Sequence, residues 1–202
     1  VLDAQGYSSF KVKVGLDHAG DDVARIRAVC DAAPHARLRL DANGGWGSQW
    51  ADNVLSNIPC SHVEFIEQPF PRGQWEASRQ LASKYHVRLA LDEDVQTIDE
   101  AREHIRNRAC DVMVLKPMVM GRLYQCVLLA EKAREAGIEV IYTSSWESDI
   151  GLAATLHLAA ALGPNPPAMG LSTAGMISEG IVTNPLKIEN GYLRVQDGPG
   201  LG

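Results

Sequence analysis

With 202 residues, 46% hydrophobic and 22% charged, the chain has enough apolar material for one sizeable core and none of the bias of a disordered or fibrous sequence. Its net charge of −6, with lysines and arginines scattered and forming no stripe, excludes the electrostatic footprint of a nucleic-acid binder and points to small-molecule partners. No apolar run approaches the roughly 20 residues of a membrane span, and no signal-peptide pattern opens the chain. Cys30, Cys60, Cys110 and Cys126 show no CxxC or metal-ligand spacing, so reduced thiols and a cytoplasmic location are expected. Homo-oligomerisation is left open.

In chain order, VLDAQGYSSF has no Met and reads as the tail of a helix running into a Gly turn. Seven apolar, strand-like runs follow: SFKVKVG, LRLDANGGW, VEFIEQP, RLALDED, VMVLKP, IEVIYTSS and PPAMGLST, with ends near positions 12, 41, 67, 92, 116, 143 and 171. Between them, 22–33, 49–57, 75–85, 98–108, 122–136 and 150–162 carry apolar residues at three- and four-residue spacing and are predicted helices. Asp21 and Asp22 open the first of these, and Thr97 stands at the N-cap position of the fourth. The most apolar helix, around 152–162, is expected to be bounded by Gly151 and Gly163.

Strands alternating with helices in this way are parallel βα units, whose crossovers run right-handed. The expected fold is α/β: a (β/α)8-type TIM barrel whose first strand would lie before Val1, since a full barrel takes about 250 residues. A single domain is assigned to 1–202, with strands and helices over 1–172 and a turn-rich C-terminal extension over 173–202. In that extension KIENGYLRV reads as a short hairpin around Asn190 and Gly191.

The chemistry sits at the ends of the runs. Lys11, Asp41, Glu67, Asp92 and Lys116 follow one another at steps of 30, 26, 25 and 24 residues, the length of one βα unit. In a barrel all strands end on the same side, so these side chains converge on one pocket. A lone buried carboxylate is costly unless it is paired or bound to a cation, and three in successive units suit a hard divalent ion such as Mg2+. The alternative is that each carboxylate caps a helix or pairs with a lysine. Lys11 and Lys13, two residues apart on a strand, point to the same face. Mutual repulsion and desolvation are expected to lower their pKa toward neutrality and make a usable base.

KVKVG, LDANGGW, FIEQP, LDED, LKP and SSWESDIGL, in this order, resemble the barrel domain of the enolase superfamily, and specifically its muconate-lactonising-enzyme subgroup. The resemblance covers the barrel and not the family's N-terminal capping domain, which closes the mouth and chooses substrates. It implies Mg2+, with Mn2+ as a substitute, held by Asp41, Glu67 and Asp92. It also implies Lys13 as the acid/base catalyst on one face, Lys11 stabilising an enolate, and Lys116 facing the intermediate from the other side. Asn43 would sit beside metal and substrate; an Asx-type turn before Gly44 and Gly45 is its alternative role.

Within the subgroup, YTSSWESDIGLAATLHLAAAL is similar to the corresponding segment of o-succinylbenzoate synthases of menaquinone biosynthesis, which implies Ser144, Ser145 and Glu147 near the substrate. GLST at 170–173 resembles the family's last-strand region. The reaction implied is a syn dehydration in which Lys13 removes the proton alpha to a carboxylate and then helps hydroxide leave. N-acylamino acid racemisation or dipeptide epimerisation would use Lys13 and Lys116 as opposed bases, and GLSTAG lacks the Asp-x-Asp motif that epimerases often carry. Two readings from other classes stand beside these. One is a non-catalytic, truncated barrel. The other is a metal-free Schiff-base lyase using Lys116, which three aligned carboxylates fit poorly.

Other residues attract plainer readings. His157, within an apolar helix, reads as a core histidine, and the remaining histidines lack mutual spacing. Trp146 could line the mouth or simply pack. Asp94 fits a helix-start charge or a support for its neighbours, and Glu93 could pair with a lysine of the pocket.

Overall fold

The computed structural model describes residues 5–16, 18–173, 181–183 and 185–202; the start of the expected N-terminal helix tail, at 1–4, lies outside them. Six parallel strands form one sheet in sequence order: β1 (Ser9–Lys13), β2 (Arg37–Asp41), β3 (Val63–Glu67), β4 (Leu89–Leu91), β5 (Val112–Leu115) and β6 (Glu139–Tyr142). Helices α1 (Ala19–Ala32), α2 (Ser48–Ser56), α3 (Trp75–Tyr85) and α4 (Ile98–Asn107) fill the first four crossovers. A short α5 (Pro117–Met120) and then α6 (Leu123–Glu135) fill the fifth, and α7 (Asp149–Ala161) follows β6. The sheet curls into an open wall of the βα barrel type.

Strand alternation explains the two-sided core. Leu38, Leu40, Ile66, Leu89, Leu91, Met113, Leu115, Val140 and Tyr142 pack with the helices in one cluster. Phe65, Ala90, Val112, Val114 and Ile141, their neighbours of opposite parity, form a second cluster inside the curl. Each fully buried aliphatic contributes about 1.5–3 kcal/mol relative to exposure. Arg39 also lies inside the curl. Its guanidinium grips Glu64 at 2.8 and 3.0 Å, donates to the Ala168 carbonyl at 2.6 Å and lies over the Phe65 ring.

The seventh run does not extend the sheet as a strand. It contributes one parallel bridge, Gly170 with Thr143, made by Gly170 N donating to Tyr142 O and Ser144 N donating to Gly170 O, both at 3.0 Å. Pro166 and Pro167 remove backbone donors just upstream. The approach is also close: a Cβ on Gly170 would lie 2.7 Å from Thr143 Oγ1. The hairpin forms as expected from β7 (Ile188–Glu189) and β8 (Tyr192–Leu193), with positive φ at both Asn190 and Gly191, as a two-residue primed turn requires.

Other local expectations are met or corrected. Thr97 caps α4 through a full capping box with Glu100. Gly151 does not precede the apolar helix but lies in its first turn, where a Cβ would meet the Glu147 Cβ at 2.9 Å. His157 is not a core histidine: it is half-buried, with Nε2 3.4 Å from the Leu201 carbonyl. The buried histidine is His104, edge-on to Trp75. α5 was not legible as a helix, being a single turn begun by a proline at its first position. All four cysteines are free thiols. Among the described residues no helix is long and apolar enough to cross a membrane.

Candidate active site

The register of the first three strands sets the site. Lys13 pairs with Asp41 across β1 and β2, and Asp41 pairs with Glu67 across β2 and β3, so the three residues stand at one level. Asp92 follows β4 directly, and Lys116 follows β5. All three carboxylates are buried, at 0%, 2% and 2% exposure. The mouth-side loops are bonded to one another through Ala42 N to Glu67 O (3.2 Å), Gly44 N to Gln68 O (2.7 Å) and Trp46 N to Pro69 O (3.0 Å). Gly45 permits the passage of this loop beneath the β1–α1 turn, since a Cβ there would lie 2.8 Å from Gly15 O.

The lysines close on the carboxylates. Lys13 Nζ donates to Asp41 Oδ2 at 2.5 Å and to Asn43 Oδ1 at 2.7 Å. Lys11 Nζ lies 2.9 Å from the same Asp41 oxygen and 2.8 Å from Glu67 Oε1. On the far side Lys116 Nζ donates to Asp92 Oδ2 at 2.6 Å. The expected convergence of Lys11, Lys13, Asp41, Glu67, Asp92 and Lys116 is therefore met in the folded chain. Asn43 joins them from a left-handed backbone conformation (φ 45°), with its Nδ2 on Glu93 Oε1 at 2.8 Å. The Asx-type contact is made by Asp41, whose Oδ1 accepts from Asn43 N at 3.0 Å. Glu93 pairs with Asn43, not with a lysine.

The charges shift one another in ways the sequence did not anticipate. Burial works to neutralise Lys11, but the carboxylates of Glu67 and Asp41 outweigh it and raise its pKa; the expected lowering is overturned for this residue. The reason is that the nearest groups to the ammonium are anions, not the second lysine. Burial likewise opposes ionisation of Asp41, yet Lys11 and Lys13 hold its carboxyl below the usual range. Glu67 goes the other way. Burial, with Asp41 and Asp92 beside it, pushes its carboxyl up to about 7 against the pull of Lys11.

This is the behaviour of a donor set short of positive charge. Asp92 Oδ1 is buried without a hydrogen-bond partner, as is Glu93 Oε2. In donor chemistry, three carboxylates with Asp92 Oδ1 left without a hydrogen-bond partner suit a divalent cation such as Mg2+. As they stand, ammonium groups occupy the positions between the carboxylates, and among the described residues no three acidic, histidine or cysteine side chains are arranged to hold an ion.

The β6–α7 loop is organised around itself. Ser144 Oγ lies 2.6 Å from Thr173 Oγ1. Glu147 is buried, accepting from Ser145 N at 2.9 Å and from Thr155 Oγ1 at 3.2 Å. Among the described residues none of the three is hydrogen-bonded to the lysine–carboxylate cluster. Trp146, between them, is 70% exposed and left-handed (φ 58°).

Asp22 and Gln68 are supports the sequence reading missed, while Asp94 takes the second of its two expected roles, a support for its neighbours. Asp22 is a buried carboxylate accepting from Gly15 N (2.8 Å), Trp50 Nε1 (2.9 Å), Trp46 Nε1 (3.3 Å) and Arg25 Nη1 (3.0 Å), and Arg25 in turn donates to the Lys13 carbonyl at 3.0 Å. Only its place in a helix's first turn was visible. Asp94 is not a helix-start charge; it is buried and bonded to Gln68 Nε2 (2.9 Å) and Gly73 N (2.6 Å). The signal that could have found Gln68 is its position, an amide between a ligand candidate and a proline.

Comparison with known proteins extends these observations. A family model described as Enolase C-terminal domain-like matches residues 1–202. The chain is 31% identical over 203 residues to a chloromuconate cycloisomerase of Cupriavidus necator, covering 100% of this chain and 55% of that protein. It is 32% identical over 200 residues to the o-succinylbenzoate synthase of Thermobifida fusca (strain YX), covering 97% of this chain and 61% of that one. The crystal structure of a dipeptide epimerase from Enterococcus faecalis V583 is similar with a TM-score of 0.89 at 27% identity, over 99% of this chain and 58% of that chain. The chain thus spans little more than half the length of these relatives.

Proposed function

The chain belongs to the Enolase C-terminal domain-like family, and on that premise we propose that it supplies the lysine-and-metal centre of an enzyme that removes the proton alpha to a carboxylate. The observation that carries this reading is the order of groups around the rim: two lysines at the end of β1, carboxylates at the ends of β2, β3 and β4, and a third lysine after β5. Lysines thus flank the three carboxylates on both sides.

Asp41, Glu67 and Asp92 would hold Mg2+, with Mn2+ able to replace it. Such an ion neutralises the carboxylates and draws electron density from a substrate carboxylate, which acidifies the neighbouring C–H. Lys13, acting as the neutral amine, would take that proton on its lone pair, held in place by Asp41 and Asn43. The ammonium groups of Lys11 and Lys116 offset the negative charge that develops on the substrate, a preorganised electrostatic contribution.

We propose syn dehydration to o-succinylbenzoate as the specific reaction. Electrons of the broken C–H bond form the new C=C bond as the C–O bond on the adjacent carbon breaks. The proton on Lys13 passes to the departing hydroxide, which leaves as water. Ser144, Ser145 and the Glu147 loop would border the substrate. A second reading, cycloisomerisation, is favoured by the likeness to chloromuconate cycloisomerases over the whole chain. Racemisation or epimerisation would use Lys13 and Lys116 in turn.

The test is an assay of the whole protein for Mg2+-dependent conversion of the cyclohexadiene precursor to o-succinylbenzoate. Conversion abolished by EDTA and by Lys13→Ala supports the synthase. Lactonisation of muconate, or deuterium exchange at the alpha carbon of N-acyl amino acids, keeps the centre and replaces the reaction. Activity that survives chelation overturns the metal reading, and inactivity on all of these substrates favours a non-catalytic wall.

A further inference from the structure

We infer that Gln68 is the positioning residue that ties the three carboxylate-bearing loops together and so sets the affinity of the centre for its cation. The inference rests on the metal-centre reading above. Gln68 directly follows Glu67, is fully buried and has a left-handed backbone (φ 40°). A residue with a Cβ adopts that conformation rarely and at a cost. His86 and Arg108 share it, but each ends a helix, an ordinary reason for it. Gln68 ends no helix.

What Gln68 gains is a complete set of bonds to three loops. Its Oε1 accepts from Asp92 N at 3.2 Å and Asp94 N at 3.3 Å. Its Nε2 donates to Asp94 Oδ2 at 2.9 Å and to Phe70 O at 3.1 Å. Its backbone N donates to Ala90 O at 3.0 Å, and its backbone O accepts from Gly44 N at 2.7 Å, in the loop that follows Asp41. One residue therefore touches the segments carrying Asp41, Glu67 and Asp92.

The chemistry explains why an amide stands there. Three carboxylates held near one another repel, so their loops need a restraint that brings no further charge. Only a neutral amide offers two donors and two acceptors from one planar group. A glutamate would lose both donors and place another anion against Asp94. Loops fixed in this way keep the donors at the spacing a small cation demands, and the bonds are as effective before the ion arrives as after.

The experiment compares the whole protein with Gln68→Gly, which relieves the backbone and deletes the four side-chain bonds, and with His86→Gly, which relieves the same backbone conformation away from the site. Mn2+ affinity is read by electron paramagnetic resonance, and amide hydrogen exchange at Asp92 and Asp94 by NMR, with Val114 as the reference for global opening. Expected are Mn2+ binding at least tenfold weaker in Gln68→Gly and unchanged in His86→Gly, with faster exchange at Asp92 and Asp94 and none of that acceleration at Val114. Weakening of less than threefold with unaltered exchange overturns the inference. If the parent protein itself binds no Mn2+, the metal-centre reading fails, and the exchange data still decide whether Gln68 ties the loops. Should Gln68→Gly not fold, Asp94→Asn is read by the same two measurements: more than threefold weakening supports the tie, and less overturns it.

Discussion

Two stretches of the same rim are built by opposite means. Where Asp41 and Glu67 sit, five-residue strands pair side by side, the short β4 before Asp92 is paired on both edges, and successive loops are bonded backbone to backbone. Where Ser144, Ser145 and Glu147 sit, pairing to the next segment shrinks to one bridge, and side chains do the joining: Ser144 to Thr173, Glu147 to Thr155. The contrast teaches that a βα wall is stiffened where charge must be held against repulsion. Elsewhere on the rim a loop that folds on its own side chains suffices. Lesions in the first stretch should remove chemistry, and lesions in the second should alter stability or choice of substrate.

The largest expected break is Lys13→Ala, which should lower the rate constant of proton abstraction by about 10²–10⁴-fold while circular dichroism shows an unchanged fold. Next is a pH effect confined to the stiff stretch. Glu67 keeps its proton up to about pH 7 when folded but releases it near its ordinary 4.5 when unfolded. Between these values the folded state binds more protons, so stability of the metal-free protein should fall as pH rises from about 4.5 to about 7 and then level. Thermal melts of Glu67→Gln should lack that slope.

Asp22→Ala tests the support beneath Lys13. It strands two indole N–H groups, the Gly15 amide and Arg25, and should cost about 3 kcal/mol in urea titrations. Gly170→Ala strikes the other stretch. Its Cβ would collide with Thr143 Oγ1, so about 1–3 kcal/mol should be lost with Mn2+ affinity intact; a loss of metal binding there would collapse the distinction between the two regions. Smallest is Thr97→Ala, which removes the α4 capping box for about 1 kcal/mol, visible as a shift in melting temperature alone.

How much of this was legible depended on range. A charged residue closing an apolar run is a local pattern, so the strand ends and the gathering of Lys11, Lys13, Asp41, Glu67, Asp92 and Lys116 could be read directly. The cap at Thr97 and the turn at Asn190 were equally local. Partnerships between distant segments could not be read this way. The pKa of Lys11 depends on which neighbour is nearest, and anions from β2 and β3 are nearer than repulsion within β1 suggested. Asp22 looked like a helix-start charge because nothing local shows two tryptophans from the next unit reaching it. Gly151 looked like a helix boundary because its close neighbour, Glu147, lies in the preceding loop. PPAMGLST read as a strand from its apolar content, but its prolines and the Thr143 contact leave room for a single bridge.

Arg39 carries a consequence for how the molecule comes together. Its guanidinium takes the Glu64 carboxylate early in the chain, yet its remaining bond is to Ala168, 129 residues away. Each βα unit can form from near neighbours, whereas this clasp must wait for closure across most of the chain, whose entropic cost grows with separation. The clasp therefore ties the segment after α7 to the second strand of the wall through a cation buried between them, and it exists only when both ends of that span are in place.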